Sequence, residues 1–142
     1  MTQSRIGKNR GAEKGQSIVE TALVLPVLLL LIVIVVDAAR AFDAYIVLTN
    51  AAREGARFAS LEPAPDGSQI RALVVDDVVN SGTNITNMAD FSAADVELAE
   101  GEGVMTVTAS YEFPLWFGGL VGISTFNLEK TAVMPTGDIE EP

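Results

Sequence analysis

Glu20 is the residue whose type and position point most directly to chemistry, because it is the one charge in the apolar run 18–36. A carboxylate inside a membrane segment is costly, so it marks a candidate functional site. At the start of the run it can also lie at the headgroup level, where the cost is small. If the chain is cut after Gly15, Glu20 becomes the fifth residue. The new amine of Gln16 could then pair with Glu20 of a neighbouring subunit, since a pair is favoured over a lone charge in an apolar interior.

The other polar residues form no catalytic or ligand-binding arrangement. The sequence has no histidine and no cysteine, so the commonest general base, the commonest metal ligand and any thiolate are missing. The adjacent acids Asp76 and Asp77 would point about 100° apart on a helix. Glu100 and Glu102 lack the spacing of a calcium loop. We therefore predict a protein that is not an enzyme and takes no metal, cofactor or small-molecule substrate.

The element that carries Glu20 is a 19-residue apolar stretch, residues 18–36. At 1.5 Å per residue it would be about 29 Å long, close to the roughly 30 Å hydrocarbon core of a bilayer. A buried core helix of this composition is improbable in a chain of 142 residues. A cleaved signal peptide remains the main rival, with Ala39, Arg40 and Ala41 as a loose cleavage site, but its apolar region is normally about 7–15 residues. The stretch predicts a single transmembrane span.

Charge is distributed unevenly about this span. The first 15 residues carry four Lys/Arg against Glu13, and residues 60–142 carry 14 acids against Arg71 and Lys130. Basic residues flanking a span stay in the cytoplasm, so the N-terminus is predicted to be cytoplasmic and the C-terminal domain extracytoplasmic. The acidic surface of that domain argues against nucleic-acid binding.

The helical pattern continues beyond the span, so residues 16–61 are predicted to form one long helix that ends before Pro63 and Pro65. Asp37 and Arg40 form one of its local i,i+3 pairs of opposite charge. A small-residue face is predicted to pack either against the chain's own sheet or against similar helices of other subunits. Its members are Ala38, Phe42, Tyr45, Ala52, Gly55, Ala56 and Ala59.

Residues 62–135 are predicted to form a small α+β domain. A second helix is predicted over residues 66–79, with Ile70, Leu73, Val74 and Val78 on its apolar face and Gly82 as its C-terminal stop. Alternating patterns then predict three antiparallel strands, with a turn at residues 101–103. Trp116 and Phe117 lie in a glycine-rich loop and either close the core or form an exposed tip for a partner. Residues 136–142 are predicted to be an acidic flexible tail.

Two segments together resemble the TadE-like proteins, pilin-like components of the Tad/Flp tight-adherence pilus system. Residues 14–26 read KGQSIVETALVLP and precede the leucine-rich run, and residues 50–57 read NAAREGAR. The resemblance covers about residues 10–61. It implies a leader, residues 1–15, that a prepilin-type peptidase removes after Gly15. It also implies a role for Glu20 in processing or subunit docking, partnership with other Tad subunits, and residence in the bacterial inner membrane. Thr21 departs from the tyrosine that follows this glutamate in the major pilins.

The sequence therefore predicts a non-enzymatic minor pilin or pseudopilin with one span. A plain membrane-anchored extracytoplasmic binding module is the alternative, and Glu20→Ala separates the two because only the pilin depends on that carboxylate. A secreted hydrolase is a third possibility, which the missing histidine and cysteine and the long span count against.

Overall fold

The protein is seen in a computed structural model that describes residues 10–61, 65–81, 88–120 and 122–136. Most of the predicted leader and all of the predicted tail after Thr136 lie outside these residues. The chain divides into two compact units, Met1–Val35 and Val36–Pro142. The elements are α1 (Arg10–Ala59), α2 (Gly67–Ser81), β1 (Val96–Gly101), β2 (Val104–Pro114) and β3 (Thr125–Pro135). The predicted α+β class, with one long apolar helix, a second helix and three antiparallel strands, is confirmed.

Helix α1 begins and ends earlier than the predicted range of 16–61. Good helix formers such as Ala12, Glu13 and Lys14 extend it toward Arg10. At the other end the amide of Ser60 is shared between the carbonyls of Ala56 and Arg57, both at 3.2 Å. Such bifurcated bonds are typical of a helix terminus, so α1 closes at Ala59.

In the first unit, α1 presents its apolar side chains outward. From Gly15 to Val35 every described side chain is exposed except Val33, which is half-buried. The described residues contain one helix long and apolar enough to cross a membrane, with a mean hydropathy of 3.0 over its best 18 residues, none of which is buried. Pro26 lies inside the helix and supplies no amide to the turn before it. The hydroxyl of Thr21 donates to the carbonyl of Ser17 at 2.9 Å, which leaves no bare donor on that side chain.

In the second unit, α2 starts at a reciprocal cap. A carboxylate oxygen of Asp66 accepts from the Ser68 amide at 3.4 Å, and the Gln69 side chain accepts from the Asp66 amide at 3.0 Å. Hydrogen bonds from Ser68 hold the pKa of Asp66 below its usual range. The helix buries Ile70, Val74 and Val78 as predicted, while Leu73 is half-buried. Gly82, the predicted stop of α2, lies outside the described residues.

The three strands form one antiparallel sheet in the order β1-β2-β3. Central strand β2 pairs with β1 from Val96↔Ala109 to Gly101↔Val104, and with β3 from Val104↔Pro135 to Pro114↔Thr125. Its buried residues alternate with less buried ones, so a single face of the sheet covers the core. These buried residues are Val107, Ala109, Tyr111 and Phe113.

The core of this unit is formed where α1 meets α2 and the sheet. A Cβ on Gly55 would collide with Val74 of α2 and would lie 3.4 Å from a methyl carbon of Val107 on β2. No larger residue fits there without displacement of these neighbours. The stripe of α1 that faces the core consists of Asp37, Arg40, Ala44, Val47, Leu48, Ala51, Ala52, Gly55, Ala56 and Ala59.

This stripe contains only part of the predicted packing face of α1. Ala52, Gly55, Ala56 and Ala59 are buried in the core, whereas Ala38, Phe42 and Tyr45 are exposed. The prediction used a spacing of four and three that begins at Ala38. The buried stripe begins one position earlier, at Asp37, and the exposed Ala38, Phe42 and Tyr45 stay a predicted surface for other subunits.

Candidate functional site

Gly15, Gln16 and Glu20 lie together near the start of α1. All three are exposed, and an added Cβ on Gly15 would meet nothing within 4 Å. Gln16 and Glu20 are separated by four residues, so they share one helix face. The peptide bond between Gly15 and Gln16 is part of the helical backbone. Glycine is the worst helix former after proline, so Gly15 makes this turn of the helix easier to unwind.

A second site lies within the other unit, where the carboxylate of Asp37 receives two backbone amides from a distant loop. The Trp116 amide donates to one oxygen at 3.1 Å and the Phe117 amide to the other at 2.9 Å. Asp37 is only 6% exposed. Buried carboxylates are stable when several donors surround them. Asp37 therefore fixes the start of the loop between β2 and β3.

Arg40 completes this site from one turn further along α1. Its guanidinium donates to Asp37 at 3.1 Å and to the Pro114 carbonyl at 3.4 Å. It also lies under two aromatic rings, 3.8 Å from the ring centre of Trp116 and 4.9 Å from that of Phe113. Cation–π contacts of this kind offset part of the cost of burying the charge. We call Asp37 and Arg40 the clamp, and the described residues 115–120 and 122–124 the aromatic loop.

The aromatic loop has a closed backbone of its own. The Leu115 amide bonds to the Ser124 carbonyl at 3.0 Å, and the Ile123 amide to the Gly118 carbonyl at 2.9 Å. A Cβ on Gly118 would collide with the Ile123 carbonyl oxygen, and Gly122 has a φ of 80°. Both positions therefore favour glycine. The loop is held in one shape by these bonds and by the clamp.

The loop presents apolar side chains to its surroundings. Trp116 is 59% exposed, Phe117 40% and Ile123 55%. Phe126, the second residue of β3, is 54% exposed. The prediction left open whether the two aromatic residues close the core or form a tip. Trp116 contacts Arg40 with one face of its ring, and the structure leaves much of both side chains uncovered.

Among the described residues, no group of three or more acidic side chains converges in a way that could hold a metal ion. Glu100 and Glu102 are exposed at the β1–β2 turn. Asp76 accepts from Asn80 at 2.7 Å and Asp77 from Ser81 at 2.9 Å, so these two acids of α2 serve local bonds.

Sequence reasoning identified Asp37 and Arg40 only as a local ion pair and did not connect them with Trp116. A signal was present. Residues 113–128 are uncharged, the longest such stretch between residues 37 and 142, and they contain the one tryptophan. The contact itself depends on how the β2–β3 loop returns to α1, which only the fold reveals.

The described residues combine an exposed apolar helix of membrane length with a small α+β unit, as a single-span, membrane-anchored protein would. The model of the family described as TadE-like protein matches residues 15–57, so this part of the chain is similar to that family, as its motifs indicated. The match begins at Gly15 and includes Glu20, the apolar run and the clamp. No curated protein and no solved structure matches the chain.

Proposed function

We propose that this chain is a non-enzymatic minor pilin or pseudopilin of a Tad/Flp pilus system. The observation that carries the proposal is the TadE-like match over residues 15–57. It starts at the glycine after which a prepilin-type peptidase would cut, and it covers the whole apolar run. The exposed apolar surface of residues 15–35 supports a helix that first lies in lipid and later packs on other subunits.

In this proposal each residue of the first site has its own role. Gly15 allows the turn of α1 around it to open for the peptidase. Gln16 provides the new amine, and Glu20 pairs with the amine of a neighbouring subunit. In an apolar interior that pairing would align one helix on the next, because an unpaired charge there is strongly disfavoured.

Processing is tested first by the intact mass and N-terminal sequence of the protein extracted from membranes. The expected mature chain starts at Gln16. A chain that still starts at Met1, in cells with an active prepilin peptidase, would refute the processing step.

The assembly role is tested by Glu20→Ala, with Thr21→Ala as the neighbouring control. Glu20→Ala is expected to abolish processing or co-isolation with other Tad subunits, while the control retains both. Equal behaviour of the two variants would instead favour the plain membrane-anchored binding module.

A further inference from the structure

We infer that the aromatic loop inserts into the membrane interface next to the end of the span, so that the domain has a second contact with the lipid. The occupant of its exposed apolar surface is thus the headgroup region of the bilayer that residues 18–36 cross. This inference depends on the span but not on the pilus role.

The aromatic loop is bonded to the residue that follows the span. Asp37 directly follows Val36, the last residue of the apolar run, and it holds the amides of Trp116 and Phe117 at 3.1 and 2.9 Å. Each interfacial layer of a bilayer is about 5–8 Å thick. A loop bonded to the first residue after the span therefore begins within that layer.

The composition of residues 113–128 also suits a membrane interface. Tryptophan is enriched at membrane interfaces, where its ring is apolar and its N–H stays hydrated. The surrounding residues 113–128 carry no charge, although residues 60–142 as a whole hold 14 acids against two bases. Acidic surface is repelled by anionic lipid, so an uncharged segment is the part of the domain suited to approach it.

Several apolar side chains of this segment are exposed. The contact with the Arg40 guanidinium accounts for the position of one face of the Trp116 ring. It does not explain why Phe117, Ile123 and Phe126 are also 40–55% exposed in the same short segment. Apolar side chains clustered on a rigid loop favour transfer out of water. The clamp supplies the rigidity, because it satisfies the loop amides that would otherwise need water.

The experiment uses Trp116 as its own reporter, since the chain contains a single tryptophan. The full chain is placed in vesicles of phosphatidylethanolamine and phosphatidylglycerol whose lipids carry bromine either near the top or near the end of the acyl chain. We expect the shallow bromines to quench Trp116 more than the deep ones, and aqueous iodide to quench it weakly.

Ile123→Asp and Val133→Asp form the matched pair of variants, because both residues are 55% exposed. Ile123 is in the aromatic loop, whereas Val133 lies near the far end of β3, opposite Thr106. Ile123→Asp is expected to lose most of the bromolipid quenching and to gain iodide quenching, and Val133→Asp to resemble the unaltered chain. Circular dichroism of each full chain checks that the sheet is retained.

Two results would overturn the inference. Strong iodide quenching without bromolipid quenching, in chains that still float with the vesicles, places the loop in water and leaves the anchor and pilus proposals standing. In the second result, Trp116 is protected from iodide without being quenched by bromolipid, and it loses that protection when the ratio of lipid to protein is raised. That result identifies a second copy of the chain as the occupant. A chain that fails to float at all refutes the span, and with it both proposals.

Discussion

Two ion pairs on α1 have the same i,i+3 spacing and opposite surroundings. The side chains of Asp37 and Arg40 are 9% and 2% exposed, whereas those of Glu54 and Arg57 are 43% and 62% exposed. Exposed pairs contribute little to stability, but removal of one member of a buried pair leaves an uncompensated charge. The two pairs have the same spacing in the sequence, so it is burial that determines which pair contributes to stability.

Asp37→Ala is therefore expected to lower the free energy of unfolding by about 3–5 kcal/mol. The substitution removes the acceptor of two loop amides and the partner of Arg40. Urea unfolding of the full chain in mild detergent measures the loss, and Glu54→Ala, which should change stability little, is the control. Equal effects of the two substitutions would contradict the role assigned to the clamp.

Tyr111 is expected to make the stability of the protein sensitive to alkaline pH. Its hydroxyl donates to Asp90. Burial, and then this bond to a carboxylate, raise the pKa of Tyr111 above its ordinary value of 10.0. The unfolded chain thus releases the proton first, so the contribution of this group is complete below pH 10 and declines as the pH rises through the raised value.

Tyr111→Phe is expected to remove that component of the alkaline loss. The phenylalanine keeps the tilted contacts with the rings of Phe91 and Phe113 but has nothing to ionise. Unfolding midpoints measured from pH 8 to 11 should fall less steeply in the variant. The other tyrosine, Tyr45, is 41% exposed, and Tyr45→Phe is the matched control variant.

At the scale of elements, Gly55 determines how closely α1 approaches α2 and β2. An exposed helical glycine replaced by alanine stabilises a protein by about 1 kcal/mol. Here the new Cβ would collide with Val74, and overpacking of a core costs about 1–3 kcal/mol. The steric cost is the larger, so Gly55→Ala is expected to lower the unfolding midpoint and Gly55→Val to lower it further. Gly119→Ala, where nothing lies within 4 Å, should do neither.

The cap of α2 is expected to stabilise that helix. Asp66→Ala removes the side-chain acceptor of the Ser68 amide and is expected to lower the unfolding midpoint. Because hydrogen bonds lower the pKa of Asp66, its contribution is present above the ordinary carboxyl range and declines as pH falls through the lowered value. Unfolding at pH 7 should therefore separate the two proteins, and unfolding at acid pH should bring them together. Asp66→Asn, a good cap without a charge, should retain stability at both pH values.

The elements were largely predictable because each has a local signal. Period-two alternation located the three strands, and the spacing of Ile70, Val74 and Val78 located α2. The buried stripe of α1 was not predictable to one residue, since a small-residue helix offers several similar faces. The clamp was not predictable either, because it joins residues 74 to 80 positions apart. Local sequence patterns determine where the helices and strands form, whereas long-range contacts in the folded chain determine which polar residues are buried.

At the scale of the whole molecule, the uneven charge predicts which side of the membrane each unit occupies. Four Lys/Arg precede the span, and 14 acids lie after residue 60. Because positive flanks are retained in the cytoplasm, the exposed β1–β2 turn at Glu102 should be extracytoplasmic. The chain has no cysteine, so labelling of a single introduced cysteine shows on which side of the membrane that position lies.

We expect Glu102→Cys to react with a membrane-impermeant maleimide in intact cells whose outer envelope is permeable to the reagent. Ser4→Cys, tested without a prepilin peptidase so that residues 1–15 remain, should react only after the inner membrane is opened. Replacing Arg5, Lys8, Arg10 and Lys14 by glutamine should remove the positive flank and expose Ser4→Cys in a fraction of the molecules. If Glu102→Cys stays protected in intact cells while Ser4→Cys reacts, the orientation is reversed, and a domain on the cytoplasmic side could not be displayed on a pilus.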